Sequence, residues 1–246
     1  MAKPIRLSNG KCWKTHGAAL EHFRKMLGRY GDNCLVDDHD DHGDLVALIE
    51  RYDTVESDGP PKMGVGISHF ERRLNRGAGF TSPGFWIFRN DGSITDFSYV
   101  SAVRGVPKTL SEEFYDACRN AIGPELLATK QRYFKEFSDV EGRLPCDLTD
   151  MPLIYSEAEL SHAVPSFGKI VADFKTSQGW DVLIPLGVLT QSADAQISTS
   201  FIDPATSAAF RTFHHARAVL RIVAIKRDPN GPPLKTTLAR RPIILK

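Results

Sequence analysis

The chain has 246 residues, 41% hydrophobic and 25% charged, which is enough to bury one good core or two modest ones. A formal net charge of +1 and a pI near 7.7 give it no bulk field to pull it onto nucleic acid or an anionic membrane, so any polyanion contact has to come from local basic patches. Cys12, Cys34, Cys118 and Cys146 are scattered with no CxxC pair, which argues against a thiolate zinc knuckle or a disulfide framework and suits a reducing cytoplasm. Residues Met1 to Lys14 hold no apolar core of signal-peptide kind and no apolar run approaches membrane-spanning length; the expectation is a soluble, cytoplasmic protein.

In chain order, Leu20, Phe23, Leu27 and Tyr30 recur at helical steps and predict a helix that Gly31 stops. Leu45, Leu48, Ile49 and Tyr52 repeat the stripe over Asp41 to Tyr52, with acidic residues at the end where a helix favours them, and Asp58-Gly59-Pro60-Pro61 breaks it. A strand follows from Met63 to Phe70, then a glycine-rich loop through Gly77 and Gly79, then strands over Phe85 to Arg89 and Ile94 to Tyr99. The intervening Asn90-Asp91-Gly92-Ser93 has the chemistry of a tight hairpin. Two helices backing a small sheet is the natural assembly.

After Pro107 the pattern changes. Phe114, Cys118, Ile122, Leu126, Tyr133, Phe134 and Phe137 form a long helical stripe that Pro124 is expected to divide or bend. A short helix is predicted over Ser166 to Ser177 with Phe167, Ile170, Val171 and Phe174 inward, then an apolar run from Val182 to Leu189. Phe210, Phe213 and Arg217 suggest another helix, Val219 to Ile225 a buried strand, and the Pro-, Lys- and Arg-rich tail from Pro229 onward a loosely held arm. The fold class expected is α+β: a small helix-backed sheet module over 1–106, then a helical α+β domain over 107–246.

Four constellations have residue types that could carry chemistry. His39-Asp40-Asp41-His42-Gly43-Asp44 has metal-capable side chains, but it lacks the spacing of a calcium loop and reads as a solvated helix cap. Gly64 and Gly66 lack the third glycine or the Lys-Ser/Thr ending of a phosphate-cradling loop and read as glycines that let strands cross closely. Arg72, Arg73 and Arg76 lie near His69 and Phe70, with Phe80, Phe85, Trp86 and Arg89 close in sequence. Aromatic faces stack on unpaired bases while arginine holds the backbone, so this set can make a single-strand platform, or Phe85, Ile87 and Phe97 can be plain core. The fourth set is Glu159-Leu160-Ser161-His162 with His214-His215 and Asp228, which only folding can bring together. It reads as a histidine base beside a divalent ion held by a second histidine and a carboxylate, or else as His162 a hydrogen-bonded structural residue and His214 packing beside Phe210 and Phe213.

The strings Lys62-Met63-Gly64-Val65-Gly66-Ile67, Phe85-Trp86-Ile87-Phe88-Arg89-Asn90-Asp91-Gly92-Ser93 and Asp96-Phe97-Ser98-Tyr99 resemble the DCL (defective chloroplasts and leaves) domain family. That resemblance implies a nucleic-acid setting, with RNA foremost, and names no catalytic residue. The second half is similar to bacterial proteins that join this domain to an HNH-type (ββα-metal) nuclease. Cys146-Asp147-Leu148-Thr149-Asp150 resembles a Cys-x-x-Thr-Gly turn, Leu160 to Phe167 a Val-Asp-His-x-x-Pro-x-Phe stretch, and Phe210-Arg211-Thr212-Phe213-His214 before Ala218-Val219-Leu220-Arg221 resembles Trp-x-x-Tyr-His before Ala-x-Leu-Arg. The resemblance implies His162 as general base and His214 with Asp228 as ligands of a divalent metal, Mg or Mn. Ser161 stands where the family has a metal-binding Asp, and the expected Asn falls near Asp228.

The function expected is nucleic-acid processing, with DNA or RNA as partner: an HNH-like metal-dependent endonuclease, or a non-catalytic binding module with a degenerate nuclease site, or a protein-interaction adaptor. Arg72, Arg73, Arg76, Trp86, Arg89, Lys235, Arg240 and Arg241 are the expected nucleic-acid contacts. No membrane partner is expected, and a homo-oligomer is compatible with the sequence.

Overall fold

The computed structural model describes residues 4–55, 60–77, 80–106, 108–190, 198–225 and 242–245. It is an α+β protein with two compact units, one comprising Met1–Gly77, Thr81–Glu113 and Gln191–Thr199, the other Ala78–Phe80, Phe114–Thr190 and Ser200–Lys246. No helix among the described residues is long and apolar enough to cross a membrane.

In the first unit, β1 (Ile5–Arg6) and β2 (Cys12–Trp13) form a short hairpin, followed by α1 (His16–Arg29), β3 (Cys34–Leu35) and α2 (His39–Val55). Thr15 starts α1 by accepting the amide N–H of Ala18, and the helix buries Ala19, Phe23, Met26 and Leu27, close to the predicted stripe. Asp38 caps α2 through the N–H of Asp41. The acidic run is a cap, but only partly a solvated one. His39 and Asp40 are exposed, whereas Asp41 is buried against Arg29 and Tyr30, and Asp44 is buried against Lys11, His22 and Asn9. A buried carboxylate requires this kind of multiple donation.

Strands β4 (Ile67–Gly77), β5 (Phe80–Arg89) and β6 (Ile94–Phe97) complete a four-stranded sheet of order β3-β4-β5-β6. Phe70, Phe85, Ile87 and Phe97 pack with Phe23, Leu45 and Leu48 of the helices, so the helices cover one face of the sheet. The strand predicted from Met63 begins only at Ile67, because Gly64 and Gly66 take positive φ (+54° and +106°) in successive turns. Strand crossing is not their reason. A Cβ at Gly64 would lie 2.6 Å from the Arg89 side chain, and one at Gly66 2.7 Å from that of Asn90. The hairpin at Asn90–Ser93 is present, with Gly92 at φ +80°. The last predicted strand ends early, at Phe97: Ser98 accepts the N–H of Ser101 and opens α3 (Tyr99–Arg104), which Gly105 closes in the left-handed region.

Helix α4 (Leu110–Phe137) runs unbroken through Pro124, against the expected division. Proline removes one hydrogen bond, and burial of Phe114, Cys118, Ile122 and Phe134 on a single core offsets that loss. The second unit continues with the hairpin β7 (Arg143–Pro145) and β8 (Pro152–Ile154), then β9 (Ala158–His162), α5 (Phe167–Ser177), α6 (Pro204–His215) and β10 (Leu220–Ala224). α5 buries the four residues expected of it, capped by Ser166. The apolar run from Val182 is not a buried strand: Val182, Leu183 and Leu186 are exposed, while Ile184 and Leu189 are buried in the core and Val188 packs against it. β9 and β10 pair antiparallel from Ala158 opposite Ala224 to His162 opposite Leu220. Asp147 fastens β10 from the other side, its backbone N–H donating to Ile222 and its carboxylate accepting from the Ile222 N–H at 2.7 Å.

Candidate nucleic-acid interface and histidine pair

Side chains alternate across a strand, so the inward set on β4 and β5 dictates the outward one. With Phe70, Phe85 and Ile87 inward, His69, Glu71, Arg73 and Asn75 of β4 and Trp86 and Phe88 of β5 share the face away from the helices. These residues interlock. The His69 and Phe88 rings stack at 4.3 Å and 13°, and the Arg73 guanidinium lies 4.6 Å from the Phe88 centroid and 6.0 Å from that of Trp86. Glu71 accepts from Arg73 Nε at 2.7 Å and stands 3.7 Å from His69, while the Trp86 indole donates to Asn75 at 2.8 Å. The indole N–H is thereby satisfied and the rings are held in one orientation.

The expected phosphate contacts are distributed unevenly. Arg73 is half-buried on the outward face with Trp86 beside it, whereas Arg76 is exposed but follows the alternation of Phe70 and so falls on the other face of β4. Arg72 is turned to Asp32 in an ion pair. Arg89 is a correction: it is 7% exposed, and its guanidinium donates to the carbonyls of Lys62 and Pro61 and to Ser93 Oγ, so it clamps the turn before β4 and has no free face for a phosphate. Lys235, Arg240 and Arg241 lie outside the described residues, as does the side chain of Phe80. Sequence reasoning passed over Phe88 and Glu71, although the alternation that puts Phe85 and Ile87 inward already implied an outward Phe88.

In the second unit, Asp203 accepts the N–H groups of Ala205 and Thr206 and Pro204 fills the first helical position, which sets α6 in register to bring its last turn toward the end of β9. His162 and His214, 52 positions apart, meet there with Nε2 to Nε2 at 2.7 Å and rings nearly perpendicular. Phe167 and Phe210 pack around them. His214 is fully buried, and its Nδ1 has no hydrogen-bond partner among the described residues. Burial, then the nearby Arg119 charge, pushes His162 down to about 4; burial, then His162 and His215, pushes His214 down to about 3. Both are neutral at pH 7, so one Nε2–H donates to the bare nitrogen of the other. Next to the pair, His215 Nε2 stands 2.8 Å from Glu125, and the exposed Arg119 lies over Phe167 at 5.7 Å. Arg119 and Glu125 both come from α4, and no local motif announced them.

Asp228 lies outside the described residues, so its place as a metal ligand rests on the resemblance alone. Among the described residues no three His, Cys, Asp or Glu side chains converge as a metal site. Ser161 faces Arg221 across the β9–β10 pair, where the HNH resemblance would supply a carboxylate. Two imidazoles hydrogen-bonded to each other are a poor match for Mg or Mn, which take mainly oxygen ligands, so the donor set described here does not fit such an ion.

Residues 24–103 match the model of a family described as a protein of unknown function, DUF3223. That segment contains all of the sheet's outward face. A protein of Rhodospirillum rubrum solved by solution NMR, itself uncharacterized, is 30% identical over a match covering 42% of this chain and 89% of that one, with a TM-score of 0.35. No curated protein matches the chain.

Proposed function

We propose that the chain is a nucleic-acid-binding protein that takes part in nucleic-acid processing and grips its ligand with the outward face of the first unit's sheet. The observation that supports this is the interlocked set of His69, Phe88, Arg73 and Trp86. A core-forming role explains Phe85 and Ile87, but it does not explain two large rings and a guanidinium kept on the face opposite the core. The DCL-like strings in the same segment favour the same setting. Titrating labelled DNA and RNA between about 50 and 200 mM salt tests it: affinity should fall as salt rises, and Arg73→Ala should weaken binding and lower the slope. A salt-insensitive interaction, or none, would leave the adaptor reading in its place.

A second reading, an HNH-like endonuclease, is favoured by one observation: His162 and His214, which that resemblance assigns to one site, lie side by side. Scission would need a carboxylate from beyond the described residues, for which Asp228 is the candidate. Incubation with single- and double-stranded substrates in magnesium, manganese or chelator decides it. Metal-dependent cleavage lost in His162→Ala would carry this reading, and intact substrate under every condition would remove it.

A further inference from the structure

We infer that the outward face of the β3-β4-β5-β6 sheet takes an unpaired strand, whose bases add to the stack of His69, Phe88, Arg73 and Trp86, and that it discriminates against duplex. This rests on the nucleic-acid reading above and narrows it.

The charge on the face decides between the two ligands. A duplex hides the faces of its bases in its own stack and offers phosphates and base edges, so a surface that grips it needs several cations free to neutralise phosphate. On this face Arg73 is paired with Glu71 and Asp96 lies opposite Trp86 on the neighbouring strand, while Arg72 and Arg76 follow the alternation of Phe70 and leave it. That is a weak field for a duplex backbone. An unpaired strand offers ring faces, and base stacking on an aromatic or guanidinium plane depends little on net charge. The stack is preorganised for this. Glu71 fixes Arg73 alongside Phe88, Asn75 fixes Trp86 through its indole N–H, and His69 and Arg73 remain about one-third exposed at the stack's surface. Arg73, lying over the Phe88 and Trp86 rings, presents a guanidinium plane on which a base can stack. Glu71 also repels the same backbone, which makes it a brake on affinity as well as a strut.

The full chain titrated with an oligo-dT, an oligo-rU and a hairpin duplex tests this. Both single strands should bind about tenfold or more tightly than the duplex. Phe88→Leu should weaken single-strand binding about tenfold and leave duplex binding unchanged, and Glu71→Gln, which keeps every ring in place, should tighten single-strand binding severalfold. The ratio of the dT and rU affinities separates DNA from RNA as the natural strand, and either order supports the inference. Equal affinity for duplex and single strands, or single-strand affinity indifferent to Glu71→Gln, overturns the inference while the nucleic-acid reading survives. No binding to any of the three probes overturns both.

Discussion

Between pH 7 and pH 5 the second unit is expected to lose about 2–4 kcal/mol of stability, more than most single surface substitutions cost. The loss comes from His162 and His214. In the folded chain they protonate only near 4 and near 3, whereas in the unfolded chain both do so near 6.5. A histidine held below its ordinary value stays neutral when folded, so its contribution is intact above about 6.5. As pH falls from there toward 4 and then 3, the unfolded state takes up protons that the folded state refuses. Burial against Phe167 and Phe210, the Arg119 charge and the neighbouring His215 all oppose a cation at this point. Urea unfolding followed by Trp180, in a protein where Trp13 and Trp86 are phenylalanine, reports this unit alone, since Trp180 packs on Phe114 and Phe174. Replacing both histidines by glutamine should flatten the pH dependence. The same slope in that double variant would show that other groups cause it.

Arg89→Ala is expected to destabilise the first unit by about 3 kcal/mol and, at temperatures where the variant remains folded, to leave nucleic-acid affinity nearly unchanged. Its guanidinium is buried and donates to two backbone carbonyls and a serine hydroxyl, so truncation leaves acceptors without donors in a place water reaches poorly. Arg89→Lys should recover little, because a point charge does not reproduce the fork. Chemical denaturation beside a binding titration separates the two effects. A large drop in affinity at unchanged stability would return Arg89 to the interface.

Much of the architecture was readable in the apolar periodicity. The stripes of α1, α2 and α5 and the strand of β10 announced themselves because each buries one face on a core, and the Asn90–Ser93 hairpin was legible from turn chemistry. Where reading failed, a competing local force was responsible. Ser98 capped a helix where apolar residues suggested more strand, and the buried face of α4 outweighed Pro124. Asp41 and Asp44 are buried because partners from α1 and the β1–β2 hairpin reach them, which composition does not reveal. The candidate sites divide in the same way. The outward stack follows from alternation within two adjacent strands, so its members could be counted off along the chain. The meeting of His162 and His214 depends on the whole path between them, and spacing could nominate both without placing either. For Arg89 the residue type misled: an arginine among aromatics looks like a ligand contact, but its buried hydrogen bonds make it a brace.

The pairing of β9 with β10 makes the histidine pair a late arrival in the life of each molecule. Everything from Ala163 to Val219 must be synthesised and looped back before Leu220 can settle beside His162. Closing so long a detour is slow compared with forming a local hairpin. The stacking face needs only the neighbouring strands β4 and β5, with β6 following directly. A nascent chain would therefore complete its outward stack well before its second unit had closed.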